Sequence, residues 1–172
     1  ATLSYDHDIH IGNSVRKAIS EADLIVFSPG SLYTSILPHL IVDDIVKEIE
    51  NSHAPIMYVS NLVTQPGETD GYNVSDHLKV LNKHLGSRHV DTVVSNNAVI
   101  DPQVVSRYLK QEQKTLVELD RDNVTLLGCS IIEDDIFCID DERIRHKALN
   151  TAYRIFAYIM EHEEGAYNVY DK

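Results

Sequence analysis

Three short apolar runs, each followed by a polar turn and then a helix-patterned segment, constrain this chain more than any other feature. Leu24-Ile25-Val26-Phe27 is bounded by Asp23 and by Ser28-Pro29-Gly30. Ile56-Met57-Tyr58-Val59 leads into a long polar loop, and Thr92-Val93-Val94-Ser95 leads into Asn96-Asn97. Short continuous apolar runs of this kind read as strands of a parallel sheet covered on both faces. Helical spacing precedes the first run, where Asn13 is the expected N-cap of a helix over residues 14–22. It recurs from Val42 to Asn51, from Val74 to Leu85 with Gly86 as the stop, and from Pro102 to about Gln111. After the first run, Leu32, Ser35 and Ile36 begin a helical turn that Pro38 is expected to interrupt. Leu116 to Leu119 reads as a fourth strand, and Val124–Leu127 and Cys129–Ile132 as one or two more strand segments. Leu149, Ala152, Tyr153, Phe156, Ile159 and Met160 mark a strongly amphipathic helix from about Arg145 to Glu163, ahead of a frayed tail, Gly165 to Lys172. Strand–helix alternation at this spacing predicts a single α/β domain over residues 1–172, with a mainly parallel sheet and right-handed crossovers.

The turns after the first two runs carry the residues best suited to chemistry. In an open α/β sheet, ligands bind beyond the carboxyl ends of the strands. The first turn offers Pro29, which stiffens the entry, and Gly30, which admits a close backbone approach. The hydroxyls of Ser31, Thr34 and Ser35 follow, at the start of a helix whose first N–H groups lack internal partners. Such a helix start can hold phosphate; equally, Ser31 can simply cap an ordinary turn. The second loop, Thr64-Gln65-Pro66-Gly67-Glu68-Thr69-Asp70-Gly71-Tyr72, is longer than the ~2–6 residues a strand-to-helix turn needs. Glu68 and Asp70 can accept ribose or sugar hydroxyls, hold magnesium through water, or act as a base. The plainer alternative is that Asp70 closes a turn. Asn61, Thr64 and Gln65 can orient a ligand by neutral hydrogen bonds, and Asn96 falls at the same end of the third strand. Asn73 and Asp76 read as a capping-box pair. The two loops are expected to sit side by side on a phosphorylated small molecule.

A net charge of −12 argues against a nucleic-acid surface, but not against a nucleotide held by backbone amides. Cys129 and Cys138 form no metal motif and read as packed thiols of a reduced, cytoplasmic protein. No apolar stretch approaches the ~20 residues of a membrane span, and no signal peptide is visible. The His7-x-x-His10 pair could bind a metal but reads as part of a solvated tail or loop; His77, seven residues from His84 on the same helix face, could be catalytic but reads as a surface or interface histidine. Glu133–Asp135 and Asp140–Glu142 read as a solvated acidic face. Nucleophile-elbow, phosphate-loop, dinucleotide-fingerprint and zinc signatures are all missing from the sequence.

The segments Pro29-Gly30-Ser31-Leu32-Tyr33-Thr34-Ser35-Ile36-Leu37-Pro38 and Asn61 to Tyr72, with Ser75-Asp76-His77 after them, closely resemble the bacterial gluconeogenesis-factor family. That family is grouped with the 2-phospho-L-lactate transferases. The resemblance extends from about residue 13 to residue 160 and includes Ala22-Asp23, Asp91 to Asn97 and Arg145-His146. It implies a Rossmann-like three-layer fold and a nucleotide-sugar ligand of the UDP-N-acetylglucosamine kind. Pro29, Gly30, Ser31, Leu32, Thr34, Asn61, Thr64, Gln65, Pro66, Gly67, Glu68, Thr69, Asp70 and Asn96 are the expected ligand-binding residues. It further implies a regulatory role in cell shape and wall synthesis on gluconeogenic carbon sources, with no established catalysis. The transferase branch would add magnesium, with Asp70 near the metal. A homodimer, or a contact surface on the last helix, is the remaining expectation for partners. Ser28, His39 and Asp43-Asp44 depart from the family pattern. The family's N-terminal strand with its glycine-rich loop is not in this sequence, so the chain is expected to be the C-terminal portion of a larger fold.

Overall fold

The computed structural model of the chain describes residues 3–141 and 143–167, with side chains described as far as His162. Strands β1 (Ile25–Phe27), β2 (Ile56–Val59), β3 (Thr92–Asn96) and β4 (Ser130–Asp134) form a parallel sheet in the order β1-β2-β3-β4. Ile25 lies opposite Ile56, Met57 opposite Thr92, and Thr92 opposite Ser130. A separate antiparallel hairpin pairs β5 (Phe137–Asp140) with β6 (Arg143–His146). The helices are α1 (Asn13–Ser20), α2 (Leu37–Leu40), α3 (Asp43–Asn51), α4 (Val74–Lys83), α5 (Pro102–Glu112), α6 (Arg121–Leu126) and α7 (Ala148–Tyr167).

Side chains alternate between the two faces of each strand, and this sorts the core into two halves. Ile56, Tyr58 and Val93 pack beneath Leu37, Leu40, Ile49, Leu78, Leu81 and Val124 from α2, α3, α4 and α6. On the other face Met57, Val59 and Val94 meet Ile155 and Tyr158 of α7 and Phe137 and Ile144 of the hairpin. Helices thus lie on both sides of the sheet, giving three layers. Every residue of β2 is buried, which is why that run is apolar without alternation. Each fully buried aliphatic side chain contributes about 1.5–3 kcal/mol. Coverage on both faces does not extend to β1, an edge strand whose Val26 remains 36% exposed.

Several sequence expectations change. Leu116–Leu119 is extended, but it does not join the sheet. It runs beside the second loop, with Val63 bridging Leu116 antiparallel, Thr64 N–H donating to Thr115 O (2.8 Å) and Val117 N–H to Leu62 O (3.0 Å). An apolar pattern specifies an extended chain, not the partner it pairs with. Val124–Leu127 falls in and just after helix α6; Val124 is fully buried while Leu126 is 83% exposed, a one-sided burial that a single turn of helix satisfies. Pro38 does not interrupt: the chain enters as a π-helical turn, Leu32–Ile36, and Pro38 lies in the first turn of α2, where its missing N–H leaves no bond unmade. Asn13 is the first helical residue; the cap position is Gly12. The last helix begins at Ala148 because Arg143–His146 is strand β6. It extends through Tyr167, and the expected fraying past that point lies outside the described residues, as does Glu142.

The amino ends of the strands are locked by Asp91 and Arg88. Asp91 accepts Ile56 N–H through its carboxylate (2.7 Å), donates its own N–H to Ile56 O (2.9 Å) and receives Ser130 N–H at its carbonyl (2.8 Å). The Arg88 guanidinium donates to the carbonyls of Ile49, Ser52 and Ala54, where α3 exposes its last acceptors. Two residues before Arg88 the chain turns at Gly86, with φ +62°, against Glu50, whose Oε1 accepts Ser87 N–H at 2.7 Å. A Cβ on Gly86 would collide with that carboxylate, whereas one on Gly67, at φ +78°, would meet nothing within 4 Å. Gly86→Ala is therefore expected to destabilise the fold by about 2–3 kcal/mol, combining left-handed strain with a lost charge-assisted bond. Gly67→Ala carries only the strain, about 1–2 kcal/mol. Urea unfolding midpoints of the two variants check the ordering.

Candidate functional site

Asn61, two residues past β2, joins the turn after β1 to the turn after β2. Its Nδ2 donates to Gly30 O at 2.8 Å, and its Oδ1 faces Gly30 N–H at 3.4 Å. Asn61 is itself held by Tyr58, whose hydroxyl accepts Asn61 N–H (3.2 Å) and faces its Oδ1 (3.4 Å). Two further bonds join the loops: Ser31 Oγ donates to Glu68 Oε2 at 2.5 Å, and the hydroxyls of Tyr33 and Tyr72 meet at 3.1 Å. That last bond, with burial and the nearby Glu68 charge, pushes the Tyr33 phenol up to about 12. The loops therefore sit side by side, and Ser31 and Glu68 touch.

Each loop is braced internally. In the first, Ser31 Oγ accepts Thr34 N–H (3.2 Å) and the Thr34 hydroxyl (2.5 Å). In the second, Gln65 O accepts the N–H groups of Glu68 (3.0 Å) and Thr69 (2.9 Å), and Thr69 Oγ1 accepts Gln65 N–H (2.9 Å). Asp70 Oδ2 accepts Gly67 N–H at 2.7 Å, and Gly67 and Gly71 take positive φ. The 115–120 segment straps this loop to α4. Glu118 O accepts Val74 N–H (3.0 Å), while the Asp120 carboxylate accepts Ser75 N–H (3.0 Å) and Ser75 Oγ (2.5 Å). Asn73 N–H donates to Asp76 Oδ2 at 3.1 Å, completing the capping box. A loop this heavily bonded is preorganised rather than shaped by its ligand.

Two adjoining clefts open at the carboxyl ends of β1, β2 and β3. One, of about 240 Å³, is lined by Pro29, Gly30, Ser31, Asn61, Thr64, Gln65, Lys114 and His146, among others. Its neighbour, of about 210 Å³, shares Asn61 and Leu62 and reaches Asn96, Asn97 and Arg121. Of the expected residues, Pro66, Gly67 and Asp70 form the exposed loop tip and Thr34 is also exposed. Leu32 and Thr69 are fully buried, Leu32 in the core beneath the first loop and Thr69 inside the second. Asn96 is engaged locally, donating to Ala98 O (2.9 Å) and accepting Ile136 N–H (3.3 Å). Gln65 Oε1 is buried without a hydrogen-bond partner, an acceptor in a cleft-lining residue. The cleft also contains groups that sequence reasoning did not place there, His146 above all. His146 Nε2–H donates to Ser60 O at 2.9 Å, so its Nδ1 carries the lone pair. Only the hairpin brings it here; its neighbour in sequence, the Arg145 side chain, is 55% exposed near Asp140.

His77 differs from its expectation as a surface or interface residue: it is fully buried, between Tyr58 and Tyr72. Its Nδ1–H donates to Asn73 O at 3.0 Å, and its Nε2 is buried without a partner. Burial holds both His77 and His146 below the ordinary imidazole value, each only partly offset by its hydrogen bond. A depressed folded value means the unfolded chain takes up protons first. Stability is full above the unfolded value of ~6.5 and is lost as pH falls through the window below it. The urea midpoint is expected to drop between about pH 7.5 and pH 5.5. His77→Gln, which keeps a donor for Asn73 O, is expected to flatten part of that slope; an unchanged slope would rule out a neutral buried His77.

Comparison with known proteins bears on what such a site belongs to. The 2-phospho-L-lactate transferase CofD family matches residues 4–137. The gluconeogenesis factor of Bacillus subtilis is 41% identical over 143 residues, covering 83% of this chain and 45% of its own length. That of Listeria monocytogenes is 37% identical over 143 residues, covering 83% of this chain and 43% of its own. The crystal structure of protein BH3568 from Bacillus halodurans superposes with a TM-score of 0.79 at 38% identity, over 84% of this chain and 46% of that one. The chain thus spans less than half the length of these relatives. With a family match over more than three quarters of its residues, and the fold shared with a solved relative, the chain belongs to the 2-phospho-L-lactate transferase CofD family, in company with the gluconeogenesis factors.

Proposed function

We propose that the chain contributes a binding site for a phosphorylated small molecule of the nucleotide-sugar class, UDP-N-acetylglucosamine being the ligand that the family resemblance implies. The observation that carries this reading is the two-loop junction at Asn61, which joins the cleft-lining Gly30 to the second loop, while cleft-lining Ser31 bonds Glu68. This reading assigns phosphate to the Gly30–Ser31–Thr34 turn, at the start of the helical Leu32–Ile36 segment and in the cleft that Lys114 also lines. Sugar or ribose hydroxyls donate to Glu68 and Asp70, and the buried Gln65 Oε1 accepts an N–H from the ligand. Such a protein would act by reporting ligand level to cell-shape and wall-synthesis machinery under gluconeogenic growth, as a binder and not a catalyst.

The family description itself favours a second reading, a magnesium-dependent transferase. Among the described residues no cluster of three or more His, Cys, Asp or Glu side chains could hold a metal alone. Magnesium binds through one or two carboxylates, with water and substrate phosphate supplying the rest, so Asp70 suffices as its protein ligand here. The whole protein's activity is proposed on the same footing, since the relatives extend well beyond this chain.

Calorimetric titration with UDP-N-acetylglucosamine tests the first reading. Binding heat is expected, with a thermal shift equivalent to about 2.7 kcal/mol at a hundred times the dissociation constant. Asn61→Ala is expected to weaken binding at least tenfold, about 1.4 kcal/mol, because the loops lose their junction. No heat and no thermal shift at millimolar ligand would defeat the reading. Glu68→Gln separates the roles of the second loop: weaker binding fits a hydroxyl acceptor, whereas tighter binding would put phosphate beside that carboxylate. Magnesium-dependent product formation that Asp70→Asn abolishes would shift the assignment to the transferase.

A further inference from the structure

Two tyrosines hold the loops together from below, and one imidazole lies between them. His77 is fully buried on the inner face of α4. On one side is the Tyr58 ring, 22° from parallel with centroids 6.2 Å apart. On the other the Tyr72 ring meets it edge-on, at 86° and 5.5 Å. Both separations are those of interacting ring pairs. The far end of each phenol carries a joint. Tyr58 OH accepts Asn61 N–H (3.2 Å), and Asn61 bonds Gly30 of the first loop. Tyr72 OH meets Tyr33 OH across the two loops (3.1 Å). The position of one side chain therefore bears on both connections.

The imidazole is itself fixed. Its Nδ1–H donates to Asn73 O (3.0 Å). The first turn of α4 is strapped in turn by Glu118 O on Val74 N–H and by the Asp120 carboxylate on Ser75. Packing alone does not ask for histidine here. Leu or Phe would fill the space without burying Nε2, which has no hydrogen-bond partner and costs stability for that reason. What histidine adds is a second charge state. Tyr58 from β2, Tyr72 from the second loop and Asp76 on α4 itself are the titratable groups that act on the ring. Asp76 is already held by Asn73 N–H (3.1 Å) and Lys79 (2.9 Å). A proton on Nε2 would create a buried cation whose new donor meets no acceptor, since both phenol hydroxyls are engaged in the joints. Attraction of that cation to the tyrosine rings offsets only part of the cost. Relief requires the rings to shift, and shifted rings carry the joints with them.

We infer that His77 is the positioning residue of the two-loop junction, a neutral wedge whose protonation releases Asn61 and Tyr33 together. For its effect on a ligand this role rests on the site proposed above; the deciding measurement needs no ligand. Amide hydrogen exchange of the 172-residue chain is followed by NMR at pH 7.5 and pH 5.5, each rate taken relative to the unfolded chain at the same pH. Protection of Asn61 and Gly30 N–H is expected to fall about tenfold at the lower pH. Ser60 N–H, bonded to Val94 O (2.9 Å), and Gln65 N–H, bonded to Thr69 Oγ1 (2.9 Å), are expected to keep theirs. His77→Gln is expected to abolish the pH difference, and His146→Gln, which removes the other buried imidazole bonded to this segment, to leave it in place. The ¹⁵N shift of the His77 ring is expected to titrate with the same midpoint as the Asn61 protection, which keeps the test decisive should His77→Gln not fold. Protection independent of pH, a pH dependence that follows His146, unequal midpoints, or an equal loss at Ser60 and Gln65 each overturns the assignment. Titration with UDP-N-acetylglucosamine is expected to give roughly fivefold weaker binding at pH 5.5 than at pH 7.5. Absence of binding at both values defeats the ligand reading and leaves the exchange result to decide the role of His77.

Discussion

The bond pair between the Asn61 side chain and the Gly30 backbone is what turns two separate strand-end turns into one site. The ends of β1 and β2 are neighbours because the strands are paired, but pairing stops at Phe27 and Tyr58. Beyond it each chain is free to diverge. Asn61 prevents this, and it can do so because Tyr58, fully buried, holds it from below. Gly30 enters this junction through its main-chain O and N alone; a Cβ there would meet only Ser35, at 3.4 Å. A single buried amide therefore couples sheet register to loop position. The Ser31–Glu68 and Tyr33–Tyr72 contacts only have meaning once that coupling exists.

An acidic chain can still hold an anion if charge is supplied by dipoles. Oriented N–H groups carry partial positive charge that no nearby carboxylate neutralises outright. The structure keeps its acidic side chains occupied in that neighbourhood. Glu68 receives the Ser31 hydroxyl, Asp70 receives Gly67 N–H, and Asp120 receives both donors of Ser75 and is held below the usual carboxylate range by those bonds against its own desolvation. These carboxylates stiffen the loops first. Carboxylates held in this way present acceptors at fixed positions, a geometry that suits hydroxyl donors better than it suits a phosphate.

Strands β1, β2 and β3 and helices α3, α4 and α5 were legible because each signal is local: a short apolar run, a period of 3.6, a Gly or Pro at the boundary. The two loops stood out because they are longer and more polar than a connection needs. What was hidden is non-local. Nothing in Leu116–Leu119 says that its partner is Val63 and not a sheet strand, since both demand the same extended backbone. His77 looked like a polar helix residue, but its position relative to Val74, Leu78 and Leu81 puts it on the buried face, and that helical spacing was the available clue. His146 offered no comparable signal. It reaches the cleft only because β5 and β6 fold back across the sheet, placing residue 146 beside Ser60, 86 positions earlier in the chain.

That fold-back gives α7 a bearing on the site. His146 precedes the helix by a single residue, Lys147, whose N–H donates to Ile136 O (2.7 Å) and whose ammonium meets Asp135 (2.5 Å). Asn150 and Arg154 add bonds to Asp135 O (3.0 Å) and Asp134 Oδ2 (2.7 Å). The first turns of α7 are thus pinned to the end of β4, and the bond to Ser60 O holds the imidazole in the cleft one residue before Lys147. The inner face of α7, with Ile155 and Tyr158 against the sheet, therefore fixes where the helix lies, and the bonds of Lys147, Asn150 and Arg154 tie that position to the strand end beside which His146 enters the cleft.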